Sequence, residues 1–468
     1  MQYIAISAAT INYSEVDCHL PVEDLKNGFI SDSTPANQEC DAAAIDALAR
    51  ICVSKKEIIA VGVQFNHVEK FLDIVIAGNH NYNDSLGKEK KHLENVLRVV
   101  QELGMLYAER DKDGGRNGDV VGSSEKVINT DGHRITRCAS ELKAVIVNHS
   151  AAKLHKSIAE RWPAWKHLVR DLLAYTNAKP EGETQFFQNL LQISSFLGHI
   201  YNILEPKSGE LAKKLEPDEV KRICEHLTSA WEKFRPLQEA RKIDVLRCVQ
   251  SFSQNTQFPL IQYLEEVLSL HASSMELVNW AHSPRLQESL SMQLRVRTLA
   301  SSSEDPKLPT TEAGWAAVFN DMLKASGVEA EDSPFIAKSA SNALLKYKSP
   351  SKPKRRPIHC EVALVQHYFL SQSPSVPAYT YIGVSKYSCL PCYLFLRGFA
   401  EETGKIFQTK GTHGKIYYPW GFPRLGNKTL EGSLQERLAK GITEHVASQL
   451  AKMGKVRLCD HKKRKKKG

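Results

Sequence analysis

The feature that most constrains this chain is a pair of cysteines, Cys389 and Cys392, placed thirty residues after His359. They flank Leu390-Pro391, follow a β-type run and lead into Tyr393-Leu-Phe-Leu-Arg-Gly-Phe. A Cys-x-x-Cys pair at a helix start aims both sulfurs at one point, and the helix N-terminus helps hold them as thiolates. His359-Cys360-Glu361 opens its own apolar-periodic segment, with Val362, Leu364, Val365, Tyr368 and Phe369, which predicts a helix approached through Pro357. One nitrogen and two sulfurs leave a fourth tetrahedral position open for water, the composition of a catalytic zinc site. Zinc lowers the pKa of bound water from about 15.7 to about 7. Glu361, two residues from the histidine, can stay outside the metal shell and move protons. The alternative is a closed site of His359, Cys360, Cys389 and Cys392. That arrangement asks helix neighbours, which point about 100° apart, to face one ion. Thioredoxin-like redox chemistry lacks its βαβ context here.

The rest of the chain reads as mainly helical. Residues 1–44 mix short apolar runs with Asp, Ser, Pro and Asn and read as a loosely structured arm. Residues 45–330 read as an all-helical domain. Leu93, Val96, Leu97, Val100, Leu103 and Leu106 recur at three- and four-residue spacing, and prolines such as Pro206, Pro217, Pro259 and Pro284 punctuate the later helices. Asp111 to Gly132, broken by Gly114, Gly115, Gly118 and Gly122, reads as an exposed loop. Trp162, Trp165, Trp231 and Trp280 sit at helical spacing and are expected in the core. From 331 to 455 the pattern turns to mixed α/β: Ala378–Val384 and Lys415–Trp420 are β-type runs, and Leu434 to Lys452 is an amphipathic helix.

The formal charge is +9, but Lys462 to Lys467 supply six of those charges, leaving three for everything else. A case for nucleic-acid binding therefore rests on local patches. Residues 456–468 read as a basic disordered tail; its run and the basic loop Lys352 to Arg356 each suit nuclear import, phosphate contact or plain solvated charge, with import fitting the tail best and phosphate contact worth weighing at the loop. No apolar stretch approaches the roughly 18 residues of a membrane span, so an intracellular, nuclear or nucleocytoplasmic protein without a membrane partner is expected. Of the ten cysteines, those outside 360–392 are scattered and expected to be reduced and quiet.

Ile358-His-Cys-Glu-Val-Ala-Leu, Tyr381-Ile-Gly-Val-Ser-Lys-Tyr-Ser-Cys-Leu-Pro-Cys and Gly411-Thr-His-Gly-Lys-Ile-Tyr-Tyr-Pro-Trp together resemble a fungal OTT-type deaminase-like family of the zinc-dependent cytidine deaminase-like superfamily. The resemblance covers about residues 335 to 453. It implies zinc on His359, Cys389 and Cys392, Glu361 as general acid/base, and a three-layer α/β domain whose mixed sheet carries both motif helices on one face. The expected function is hydrolytic deamination of a cytosine- or adenine-type base in RNA, DNA or a nucleotide. Substrate-proximal candidates are His413 between two glycines, Lys386 and Ser388. The hairpin that should precede the His-x-Glu helix is poorly written, since Phe335 to Tyr347 is rich in alanine and serine. The alternative function is a non-catalytic structural zinc module in a helical scaffold that binds a protein partner.

Overall fold

In the computed structural model the centre is a four-stranded sheet, three of whose strands come from residues far from the cysteine motif. The structure describes residues 2–10, 36–55, 57–66, 69–79, 86–116, 125–178, 185–208, 215–239, 245, 249–250, 258–283, 291–299, 308–326, 328–329, 334–347, 357–371, 378–452 and 457–458. Strands β1 (Ile59–Asn66) and β2 (Phe71–Gly78) form an antiparallel hairpin, paired in register from Ile59↔Gly78 to Asn66↔Phe71. Strand β3 (Gln293–Leu299) adds in parallel to β2. A short strand Gly383–Val384 adds antiparallel to β1 on the other side; it is β5, since β4 (Val328–Glu329) pairs with β6 (Arg457–Leu458) in a separate two-stranded ladder. Bridges Tyr381↔Gln408 and Ser388↔Thr412 lay a further extended run parallel beside β5.

Strand side chains alternate between the two faces of a sheet, and here each face has its own core. Ile59, Val61, Val63, Leu72, Ile74 and Ile76 belong to a large apolar cluster with the helices α2 (Ala36–Ile51), α3 (Leu86–Arg116), α4 (Glu125–Ala159), α5 (Trp162–Ala178), α6 (Gln185–Leu204), α7 (Pro217–Glu239) and α8 (Leu260–His282). Ala60, Val75 and Ala77, the intervening residues, join a second cluster with α1 (Gln2–Thr10), α9 (Glu312–Ala325), α10 (Pro334–Tyr347), α11 (Cys360–Leu370), α12 (Leu390–Thr403) and α13 (Lys428–Lys452). The result is helix, sheet, helix, with both motif helices on one face.

Close approach fixes two glycines in this stack. A Cβ on Gly383 would lie 2.3 Å from the Ile45 carbonyl oxygen, because α2 crosses directly over β5. A Cβ on Gly62 would lie 2.2 Å from the Tyr368 hydroxyl of α11, on the opposite face.

Several expectations are corrected. Residues 45–330 are not all helical: β1, β2 and β3 lie within them; β1 and β2 are apolar runs buried on both faces, which hides the period-two pattern, and β3 alternates over only seven, mostly exposed residues. The hairpin sought at Phe335 to Tyr347 is at Ile59–Gly78, and Pro334–Tyr347 is helix α10. Within the arm, Gln2–Thr10 is a helix that buries Ile4, Ala5 and Ile6, and α2 begins at Ala36. Helix α3 runs on to Arg116 and α4 starts at Glu125, so the loop expected over 111–132 is largely helical. Lys415–Trp420 forms no strand, and the pairing there belongs to Gln408 and Thr412. Trp165 and Trp280 are buried, and Trp162 and Trp231 pack against the core, as expected of structural aromatics. The tail residues Lys462 to Lys467 and the loop Lys352 to Arg356 lie outside the described residues. Among the described residues no helix is long and apolar enough to cross a membrane.

Candidate metal centre

Two helix N-termini converge on the sheet's end. His359 is the N-cap residue of α11 and Cys389 the N-cap residue of α12, both in extended backbone, and Cys392 stands in the first turn of α12. Pro391 suits that first turn because no intrahelical partner is lost there. His359 Nδ1 lies 3.4 Å from Cys389 Sγ and 3.4 Å from Cys392 Sγ, and the two sulfurs are 3.4 Å apart. The three residues are the one group of this kind among the described residues, and all three are buried. Tetrahedral zinc with bonds of about 2.0–2.1 Å to nitrogen and 2.3 Å to sulfur needs N···S and S···S separations of about 3.6 and 3.8 Å. The triangle therefore fits such an ion with shifts of a few tenths of an ångström, and its soft sulfurs suit zinc chemically.

The surroundings set the protonation of each group, and a cation would displace the protons that remain. Burial pushes the Cys389 thiol up, but the hydrogen bond from Cys392 and the His359 imidazole bring it down to about 6. Burial works against a charged His359, yet the Cys389 sulfur beside it holds the imidazole up at about 9. Burial and the neighbouring Cys389 sulfur push Cys392 well up, so this thiol carries its proton in the metal-free protein. One donor favours its thiolate: Trp420 Nε1 gives a hydrogen bond to Cys392 Sγ at 3.2 Å. The other ring nitrogen of His359 faces the Pro419 carbonyl at 3.3 Å, the outer-shell contact that fixes a ligating imidazole with Nδ1 free to bind.

Because His359 spends its ring on the sulfurs, it makes no capping bond of its own. The orphan N–H of Cys360 goes instead to Asn79 Oδ1 at 2.7 Å, at the end of β2. The first N–H of α12, on Leu390, goes to the Lys415 carbonyl at 2.9 Å. Glu361 is buried on the first turn of α11, and its Oε2 accepts from the Cys360 thiol at 3.3 Å. Cys360 thus turns to Glu361 and stands outside the three-ligand group, which removes the closed four-ligand arrangement.

The substrate-proximal candidates separate. His413 is half-buried, its Nδ1 accepts from the Lys415 N–H at 3.0 Å, and burial, then Lys415, bring it down to about 4. It is therefore neutral at pH 7 with its proton on Nε2, and it lies within electrostatic reach of Glu361. Ser388 is fully buried, with its hydroxyl 3.2 Å from Thr409 Oγ1 and its carbonyl accepting from Thr412 Oγ1 at 2.8 Å, which is a structural role. Lys386 is exposed. Sequence reading missed Trp420, Pro419 and Asn79. The first two stand in the quoted Tyr-Tyr-Pro-Trp run, which signalled them; Asn79, 280 residues upstream of His359, carried no signal.

A family model described as OTT_1508_deam-like deaminase matches residues 358–424. The match begins one residue before His359 and includes Glu361, both cysteines, His413 and Trp420. No curated protein and no solved structure matches the chain. The deaminase-like match and the three-ligand cluster together support a deaminase-like function with a metal site.

Proposed function

We propose that the chain is a zinc-dependent hydrolytic deaminase of a cytosine- or adenine-type base. One observation carries this reading. Three candidate ligands share a point while Glu361, buried on the first turn of α11, stays out of their group and accepts from the Cys360 thiol. A structural zinc site has no use for a buried, unliganded carboxylate, whereas proton transfer during amine displacement requires one.

In this reading His359, Cys389 and Cys392 would hold zinc, whose Lewis acidity makes water a nucleophile near neutral pH. Glu361 takes a proton from the attacking water as the C–O bond forms and gives it to the ring nitrogen beside the amine-bearing carbon. It then takes the remaining proton of the new hydroxyl and passes it to the amine, so that the C–N bond breaks, the carbon keeps a carbonyl oxygen and ammonia leaves. His413, with only Nε2–H to offer, serves as a neutral donor to the base.

The test is ammonia release by zinc-loaded protein from cytidine, adenosine, their 5′-monophosphates and single-stranded oligonucleotides. Cys389→Ser should lose the zinc. Glu361→Ala should keep zinc and fold while losing about 10²–10⁴ in rate on the responding substrate. Zinc lost from a folded Glu361→Ala protein would make Glu361 a ligand and overturn the mechanism.

A further inference from the structure

Four cations come from four chain segments: Arg50 of α2, Lys153 of α4, Lys386 after β5 and Lys410 in the run beside it. Lys153 Nζ reaches the Arg50 carbonyl, and Lys410 Nζ reaches the carbonyl of Val384, whose N–H goes to Asp46 of α2. Lys153 lies within electrostatic reach of the other three, and Lys410 of Arg50. Arg50, Lys153 and Lys410 are half-buried. Their hydrogen bonds go to neutral acceptors: Lys153 Nζ to the Arg50 carbonyl at 3.4 Å, Lys410 Nζ to the Val384 carbonyl at 2.5 Å, and Arg50 Nη1 to Ser273 Oγ at 3.5 Å. Among the described residues, none of the four forms an ion pair.

Glu266 lies within electrostatic reach of Lys153 and Asp46 within reach of Lys410, and each carboxylate also accepts hydrogen bonds from neutral donors. Asp46 accepts from the Val384 N–H at 2.7 Å and the Tyr381 hydroxyl at 2.9 Å, and Glu266 accepts from Ser157 Oγ at 3.4 Å. The cluster is left net positive. Burial, then Arg50, Lys386 and Lys410, bring the Lys153 ammonium down to about 7, which is the cost of gathering like charges away from water. An anion with several acceptor oxygens removes that cost, and four cationic donors from four chain segments suit a phosphate better than the two oxygens of a carboxylate. The cluster also adjoins the reacting site: Lys386 is within electrostatic reach of His413, and His413 of Glu361.

We propose that Arg50, Lys153, Lys386 and Lys410 form a phosphate subsite that takes the phosphate of a nucleotide whose base is presented to the metal centre. Naming that phosphate as part of the substrate rests on the deaminase reading; the binding itself does not. The helical side of the sheet thereby contributes Arg50 and Lys153 to substrate selection.

Calorimetric titration of full-length, zinc-loaded protein tests this with inorganic pyrophosphate, cytidine, adenosine, their 5′-monophosphates and a short oligonucleotide. Pyrophosphate should bind. A nucleotide or the oligonucleotide should bind at least about tenfold more tightly than the parent nucleoside, since a charged hydrogen bond contributes that much. The arm that gains identifies the source of the phosphate. Lys386→Met, at an exposed position, should weaken pyrophosphate by about tenfold. Lys153→Met should do the same while raising the melting temperature of the ligand-free protein, because it removes an uncompensated charge. Pyrophosphate binding that is absent, or unchanged in both variants, overturns the subsite. Pyrophosphate binding that is lost in the variants, without deamination of any base, upholds the subsite and defeats the deaminase reading instead.

Discussion

Trp420→Phe isolates one hydrogen bond at the metal centre. In the metal-free protein Cys392 is a thiol, pushed up by burial and by the Cys389 sulfur. Binding zinc requires that thiol to lose its proton. The Trp420 Nε1–H, 3.2 Å from the sulfur and fully buried, is worth little to a thiol and more to a thiolate. A hydrogen bond to a charged acceptor contributes about 1.5–3 kcal/mol, or about 10- to 150-fold in an equilibrium constant. Outer-shell substitutions at metal sites lose about 10- to 100-fold. Both routes give a one- to two-decade loss of zinc affinity, measured by competition with a chromogenic chelator. The smaller ring also leaves a cavity, so urea unfolding of the metal-free variant must be measured alongside and its change kept separate. Cobalt substitution adds a second readout, since the sulfur-to-metal charge-transfer bands should shift when the donor is gone. A zinc affinity within threefold of wild type, in a folded variant with an unshifted cobalt spectrum, would refute the argument.

Two further predictions concern the frame around the site. Asn79→Ala removes the cap on Cys360 and should cost about 1 kcal/mol of stability, read as a lower denaturant midpoint; an unchanged midpoint counts against the capping role. His92, buried and held at about 3 first by burial and then by His149, stays neutral in the folded protein where the unfolded chain takes up a proton. Stability should therefore fall as pH drops below about 6.5, by up to about 1.4 kcal/mol per pH unit from this group, and His92→Gln should flatten that slope in denaturation curves taken at successive pH values.

The ligand triad was legible because its chemistry is local. Cys389 and Cys392 share a first turn, and the histidine precedes a helix whose apolar spacing is plain. Glu361 followed from the same spacing. The sheet was not legible, because its strands come from three distant segments and β5 has only two residues in regular pairing. Ile59–Asn66 and Phe71–Gly78 carry apolar residues to both faces, so the alternation that marks a half-exposed strand is missing. A continuous apolar run among long helices then reads as more helix. The cation cluster was hidden for the same reason: Arg50 and Lys386 are 336 positions apart in sequence, and both come within electrostatic reach of Lys153 only in the folded chain.

That pairing ties the two halves of the chain into one working unit. The backbone of α2 passes over Gly383 so closely that any side chain there would strike the Ile45 carbonyl. The next residue of α2 after Ile45, Asp46, accepts from the Val384 N–H and the Tyr381 hydroxyl, and Ser385 Oγ accepts from the Ile59 N–H at 3.0 Å. Four residues after Ser385 the chain reaches Cys389. The segment carrying the cysteines is thus anchored from the helical side of the sheet, and the histidine helix is anchored to the hairpin through Asn79. Both ligand-bearing helices hang from the same two strands, so the distance between His359 and the sulfurs is set by the hairpin. A helical region that served only as a partner-binding appendage would have no reason to supply those anchors.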